Sequence, residues 1–463
     1  MMPRCEILAR LTLDARAPKQ SGFRLIEWAR TCAASGVVIP RGIDAALAQQ
    51  LSREASTAGL SCDVEGSAQS DARLSSMYTD DSPDFIHTLR AAQAGATIIL
   101  KGLTLNRSLG GPEHQGSLYP DEFARLVELV RFNEAFIEAF LAGRRDRPEV
   151  PVRQENLAFT ETLVASRPLR MGQVVSAEDV MTVRDLRGIS AARLSEVVGQ
   201  RLLFDRQPDE PITFGVLEPW KPRRRATPLS DVSVIIRVKN EAGWLRRSLP
   251  AILHQSRPPR DIVVVDNEST DETVGIAEEF GCKVLSISSE EFSFGRALNH
   301  GISAATGAWI VSLSAHCIPV HDHWLEALLA PDCEHPFAAA VYGRQEPLPD
   351  TNDFDKRDLW TTFGAERRVQ RGRDYFFHNA NSLIRRSVWE RIPFDETLNG
   401  VEDRAWAKRA LADGYQIIYA PLASVHHYHG IHQGRNVERA RRVVKVIEFI
   451  QKSNRAVEQL NLK

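Results

Sequence analysis

The sequence predicts an α/β protein in three parts: a partial βα-barrel-like region, a small α+β module and a larger doubly wound C-terminal domain. Three observations predict it. Apolar runs of strand length, bounded by glycine, proline or polar residues, alternate with helical segments over residues 1–150 and again after residue 231. Between them, residues 155–217 keep a shorter rhythm. The segment LEPWKPRRRATPLSD, 217–231, holds three prolines and four basic residues and reads as a linker over 218–230.

In the first region the expected strands are CEILARLTL, GVVIP, LSCDV and ATIILKGLTL. The expected helices are GFRLIEWARTCAAS, IDAALAQQLSREASTAG, SPDFIHTLRAAQAG and YPDEFARLVELVRFNEAFIEAFLAG, several opening at Ser, Asp or Pro and closing at Gly. Four such strands cannot close an eight-stranded barrel. The 155–217 module carries a short helix at 190–198. After the linker, VSVIIRV, DIVVVDN, KVLSIS and AWIVSLS are buried parallel strands, separated by helices near 241–254, 271–280 and 294–305. The domain extends over 231–430, and NVERARRVVKVIEFIQKSNRAVEQL within 431–463 reads as an amphipathic helix.

Composition bounds the function classes. The chain has 463 residues, 43% hydrophobic and 25% charged, enough for more than one core. A net charge of −2 carries no nucleic-acid signature, so no nucleic-acid partner is expected. Six cysteines without C-x-x-C spacing predict a reduced, cytoplasmic chain. No apolar stretch approaches the ~20 residues of a membrane span. Charge breaks up MMPRCEILARLTLDAR, leaving no signal-peptide core. Action at the inner face of the membrane, by peripheral association, is the alternative location.

Ligands of open α/β sheets bind at the carboxyl ends of the strands. The first strand of the large domain ends at Arg237, with Asn240 and Glu241 just beyond; the second ends at Asp266, followed by Asp271. A carboxylate there can accept from a base or ribose hydroxyl, although Asp271 is also placed to cap a helix. Arg296 and Asn299 share a helix face at i and i+3. The fourth strand ends at Ser314, Ala315 and His316, with His321 and His323 in the following loop.

The stretch 232–429 resembles the family 2 inverting glycosyltransferases, nearest their rhamnosyltransferase-like bacterial branch. The resemblance rests on VSVIIRVKNEAGWLRRSLPAILHQS, DIVVVDNESTDET, FGRALNHGISAATGAWIVSLSAH, YGRQ, HNANSLIRRSVWERIPFDE, NGVEDRAWAKRALADGYQIIYAP and SVHHYHG, in the family's order. It implies a GT-A nucleotide-sugar-binding fold, a nucleotide-sugar donor and a glycan or polyprenyl-linked acceptor. Family members carry Asp-x-Asp where this chain has Ser314-Ala315-His316, and hold a divalent metal there against the donor diphosphate. The resemblance therefore implies a Mn²⁺ or Mg²⁺ site built from His316 with His427 or His429; the alternative is direct contact of these histidines with phosphate. Direct displacement at the anomeric carbon needs a base for the acceptor hydroxyl. By resemblance that base is Asp403, with Glu402 as acceptor-binding neighbour or alternative base. Arg296 or Arg404 could answer the leaving group's charge, and Asn379 and Asn381 could donate to sugar hydroxyls.

Residues 96–121, ATIILKGLTLNRSLGGPEHQGSLYPD, resemble the last strand and following loop of the sialic acid (nonulosonic acid) synthases. Residues 155–217, with LVASRPLRMGQVVSAEDV, RDLRGIS and VVGQRL, resemble the antifreeze-like or SAF domain that follows in those enzymes. The synthases' Glu and metal-ligand His correspond to Leu100 and Gly102, neither of which can bind a metal. The resemblance thus implies a fragment without synthase activity. It also implies a sugar-contacting role for Arg184, and the incomplete sheet suggests a homodimer. The expected activity is transfer of a sugar during surface polysaccharide assembly. A bifunctional synthase–transferase and a non-catalytic sugar-binding scaffold are the alternatives.

Overall fold

The structure, a computed structural model, describes residues 5–15, 17–65, 77–83, 85–109, 112–141, 161–184, 187–219, 231–329, 336–372, 374–398 and 400–428. The expected C-terminal helix over 431–463 and nearly all of the linker lie outside the described residues. Two compact units emerge: Met1–Gln154 with Gln370–Tyr375 and Lys408–Gln416, and Glu155–Val369 with Phe376–Ala407 and Ile417–Lys463.

The first unit is built on five parallel strands: β1 (Glu6–Leu11), β2 (Gly36–Ile39), β3 (Ser61–Val64), β4 (Tyr78–Asp80) and β5 (Ile98–Leu103). Their order is β3-β2-β1-β5-β4. The sheet therefore runs 4-5-1-2-3 in one direction, as a closed barrel does where its last strand returns to its first. Here β3 and β4 remain as edges. Strand alternation sorts the two faces. Lys101, fully buried, points toward the helix Ile86–Gln93, with Nζ 3.1 Å from Asp80, which also accepts from Thr88 of that helix. Leu100 and Gly102 take the opposite face, where Leu8, Val38 and Leu100 form an apolar cluster.

The second unit contains the small module and the doubly wound domain. The module pairs β6 (Glu161–Ala165) with antiparallel β7 (Val180–Arg184). Single turns follow at Ala191–Arg193, Leu194–Val197 and Phe214–Val216. The expected helix over 190–198 is thus a 3₁₀ turn running into one α turn, since four residues between Leu194 and Val197 cannot sustain more.

The large sheet has the order β10-β9-β8-β11-β15-β13-β16-β12, with β14 (Arg368–Gln370) on β16. Strands β8 (Val232–Val238), β9 (Asp261–Asp266), β10 (Lys283–Ser286) and β11 (Trp309–Ser314) are parallel neighbours. Strands β8, β9 and β11 are covered on both faces and are almost uniformly apolar, whereas β10 is a partly exposed edge. The chain then turns antiparallel: β15 (Asn381–Arg385) pairs with β11 and with β13 (Ala338–Glu346), and β12 (Cys317–Pro319) pairs with β16 (Gln416–His427). In the parallel half, the helices Ala242–Leu253, Thr273–Glu279 and Phe294–Ala304 match the expected positions. The order 10-9-8-11 reverses between β8 and β11, and open sheets of this kind hold their ligands at the strand ends beside such a switch point.

Candidate active site

Ser314 and Arg237 are register partners at the carboxyl ends of β11 and β8, one on each side of the switch point. The loops after β8 and β9 are tied together. Asn240, with φ at 55°, accepts from the Thr270 N–H at 2.7 Å, while its own N–H reaches Ser269 Oγ at 2.8 Å. Asp266, 4% exposed, accepts from the Ser269 N–H at 3.1 Å.

The helix Glu402–Ala412 begins beside these strand ends, with Glu402 in reach of Arg237. Glu402 is buried; it accepts from Arg237 Nη1 at 3.5 Å, from Asn379 Nδ2 at 3.4 Å and from the Gly400 N–H at 3.1 Å. Asp403 accepts from the Arg404 N–H at 2.7 Å and the Asn379 N–H at 3.3 Å. Burial pushes both carboxyls above their ordinary values, and at Glu402 the neighbouring Asp403 charge adds to it against the pull of Arg237. The two form a coupled pair suited to taking up a proton. Arg237 lies with its guanidinium 4.9 Å from the Phe294 ring centre, and Arg404 lies 5.2 Å from that of Phe376.

Just beyond Ser314 the His316 and His427 rings stack 5.1 Å apart at 6°. His427 Nδ1 meets Gln345 Oε1 at 2.6 Å, and Gln345 Nε2 meets His378 Nδ1 at 3.2 Å. A carboxamide oxygen only accepts, so the proton of neutral His427 sits on Nδ1 and Nε2 is the ring's lone-pair nitrogen. That is the orientation of a metal-ligating imidazole held by a hydrogen bond behind it. His316 is different. Its ring is parallel to that of His427, so the in-plane lone pairs do not converge, and its Nδ1 lies 3.5 Å from Glu241 Oε1. In this structure the rings of the expected His316–His427 pair stack instead of converging, with the lone pair of His427 on Nε2. His429 lies outside the described residues, and no group of three His, Cys, Asp or Glu suited to a metal occurs among the described residues.

Other expected site residues are engaged within the protein itself. Asn381 is fully buried: it donates to Arg344 O and Ala423 O at 3.1 and 2.8 Å and accepts from Trp324 Nε1 at 3.0 Å, so it locks β15 to its neighbours. Asn299 accepts from Trp389 Nε1 and the Phe394 N–H and donates to Phe394 O and Glu396. Arg296 pairs with the same Glu396 at 2.9 Å, so the expected donor-binding pair instead fastens its helix to the 389–396 segment. Asp271 is a cap, accepting from the Thr273 and Ala242 N–H groups. Arg184 closes β7, and its side chain lies outside the described residues.

The structure adds residues that sequence reasoning did not single out. Gln345 and His378 orient His427, and Trp244 packs on both Tyr428 and His316, at 5.0 and 6.5 Å between ring centres. Gln345 stands in YGRQ and His378 in HNANS, segments already marked, but nothing local says which side chain turns toward His427.

Comparison with known proteins assigns these parts. Residues 233–392 match the Glycosyl transferase family 2 model, residues 69–139 the NeuB family and residues 160–218 the SAF domain. The chain is 30% identical over 189 residues to the O-antigen chain rhamnosyltransferase WbaN of Salmonella anatum, covering 39% of this chain and 60% of that protein. It is 30% identical over 125 residues to the N,N'-diacetyllegionaminic acid synthase of Legionella pneumophila, covering 27% of this chain and 34% of that one. This chain thus spans less than two thirds of either relative. Among solved structures, the mannosyltransferase of Pyrobaculum calidifontis in complex with GDP-Man and Mn2+ aligns with 49% of this chain and 68% of its own at 23% identity, with a TM-score of 0.36. By the family models, the chain is thus similar to the family 2 glycosyltransferases over 233–392 and to the NeuB and SAF families in two segments before it.

Proposed function

We propose that this domain is an inverting glycosyltransferase that moves a sugar from a nucleotide-diphosphate donor to a hydroxyl of a glycan or polyprenyl-linked acceptor in surface polysaccharide assembly. The observation that carries the reading is the raised, coupled carboxyl pair of Glu402 and Asp403, held by Arg237 and Asn379 beside the switch point. Asp403 takes the acceptor hydroxyl's proton as the oxygen bonds to the anomeric carbon. The bond from that carbon to the diphosphate breaks on the opposite side, and the leaving group keeps its electron pair. Glu402, held by Arg237, keeps the second carboxyl in place and its charge balanced. A divalent ion would be held at His427 and would supply positive charge to the departing diphosphate.

The O-antigen rhamnosyltransferase likeness supports the acceptor class. The first unit takes no part in synthase chemistry in this reading. Leu100 stands where the synthases have their Glu, and a Cβ at Gly102 would lie 2.2 Å from Ser117 Oγ, so the space of the ligand histidine is filled. The test is turnover of one nucleotide-sugar by the full chain and its loss in Asp403→Asn.

A further inference from the structure

The SAF module and the transferase domain share one core. Ala251 of the helix Ala242–Leu253 and Ile318 of β12 are buried together with Leu163, Ile212, Phe214 and Val216 of the module. Phe214 N–H donates to Val320 O at 3.3 Å, and Arg247 donates to Gly215 O at 3.1 Å. At a second seam Asp322, 2% exposed, accepts from the Ser190 N–H at 3.0 Å and lies 3.7 Å from Arg193. Both ends of the segment His316–Asp322 are therefore tied down, one end by its stacking on His427 and the other by the module.

The contact that reaches the site runs through His426. Successive residues of a strand point to opposite faces. His426 turns toward the module while His427 turns toward His316 and Gln345. His426 Nδ1 faces Pro347 O at 3.3 Å, a carbonyl that only accepts, so Nε2 carries the lone pair and accepts from Thr213 Oγ1–H at 3.0 Å. The ring presses so closely on the module that a Cβ at residue 215 would stand 2.4 Å from His426 Cδ2; glycine is what the approach permits. The same two strand positions face β12, with His426 opposite Ile318 and His427 opposite Cys317.

We propose, resting on the transferase reading, that the SAF module is a positioning element of the transferase site: Thr213 and Gly215 hold His426, and thereby fix the orientation of His427 on the next position of β16. This gives the module a task in the reaction that needs no sugar of its own and no second copy of the chain.

The test uses the full chain with ¹⁵N-labelled histidine and compares wild type, Thr213→Val, Thr213→Ser, Gly215→Ala and the exposed control Met171→Ala, 68% exposed at its surface position. Thermal unfolding reports whether each is folded. The expected result is that Thr213→Val moves the ring-nitrogen signals of His427 as well as His426. It also lowers kcat for donor hydrolysis about tenfold, the lower end of what losing the support of a metal-binding histidine costs. Thr213→Ser restores both readouts, Gly215→Ala behaves as Thr213→Val, and Met171→Ala matches wild type. Folded Thr213→Val with wild-type His427 signals overturns the proposal, as does failure of the Ser variant to restore them. Should Gly215→Ala not fold, the Thr213 pair decides. Should wild type turn over no donor, the transferase reading fails, while the His427 signals of the free protein still decide this inference.

Discussion

Arg237, at the end of β8, reaches Glu402 at the start of a helix far along the chain, Nη1 to Oε1 3.5 Å, and little of either side chain is exposed. Neither group is stable in that position alone, because an unpaired buried charge is costly. Arg237→Gln is therefore expected to leave Glu402 protonated and to reduce donor turnover, and Glu402→Gln to reduce it less than Asp403→Asn does. Steady-state rates of the three variants on one donor check the ranking. Equal losses in Glu402→Gln and Asp403→Asn would make the pair, and not Asp403, the base.

The raised carboxyls set a pH dependence. A base must be ionised to work, so kcat is expected to rise with pH through an apparent value above the usual carboxylate range of about 4. Glu402→Gln removes the like charge and moves that limb to lower pH. Stability runs the other way. A carboxyl raised in the folded state binds its proton more tightly there than in the unfolded chain. Stability therefore falls as pH climbs from about 4 to the raised value and is flat above it. Urea midpoints of wild type and Glu402→Gln across that window check the sign: the variant's slope is shallower.

Metal stimulation separates the two stacked histidines. Only His427 has its Nδ1 proton held by Gln345, and so presents Nε2 as a ligand. Added Mn²⁺ is expected to stimulate donor hydrolysis in wild type and in His316→Ala, and to have no effect in His427→Ala. Gln345→Leu, which frees the ring to turn, weakens Mn²⁺ binding about tenfold or more, measured by calorimetry. Loss of stimulation in His316→Ala alone would reverse the assignment.

Asn381 is a stability residue in this structure. Asn381→Ala leaves Trp324 Nε1 and the carbonyls of Arg344 and Ala423 without that partner. A cost of about 1–3 kcal/mol for each group left unsatisfied is the expected scale. The folded fraction keeps its KM for the donor. A raised KM at unchanged melting temperature would return Asn381 to the sugar site.

The parallel strands β8, β9 and β11 were legible because strands buried on both faces are continuous apolar runs with sharp ends. Strand β4, only Tyr78–Asp80, carries no such run and escaped notice; its place is fixed by pairing with β5. Site residues divided along the same line. Asp403 and Glu402 are marked by a family motif, and their adjacency at a helix start keeps the two carboxyls together. Asn379 and Asn381 look alike in sequence, yet one turns to the carboxylates and the other into the sheet interior. Likewise, His426 and His427 are adjacent letters whose sides follow from where β16 begins, and the module behind His426 is remote in the chain. Local pattern has no access to such pairings.

The central claim is that Asp403 is the base of a sugar transfer. The direct measurement is hydrolysis of UDP-, dTDP-, GDP- and CMP-sugars by the purified full chain, wild type beside Asp403→Asn, with donor binding followed separately by calorimetry. The account predicts turnover of one donor, reduced about 10²- to 10⁴-fold in Asp403→Asn with donor affinity retained. Turnover in Asp403→Asn equal to wild type on that donor would contradict it.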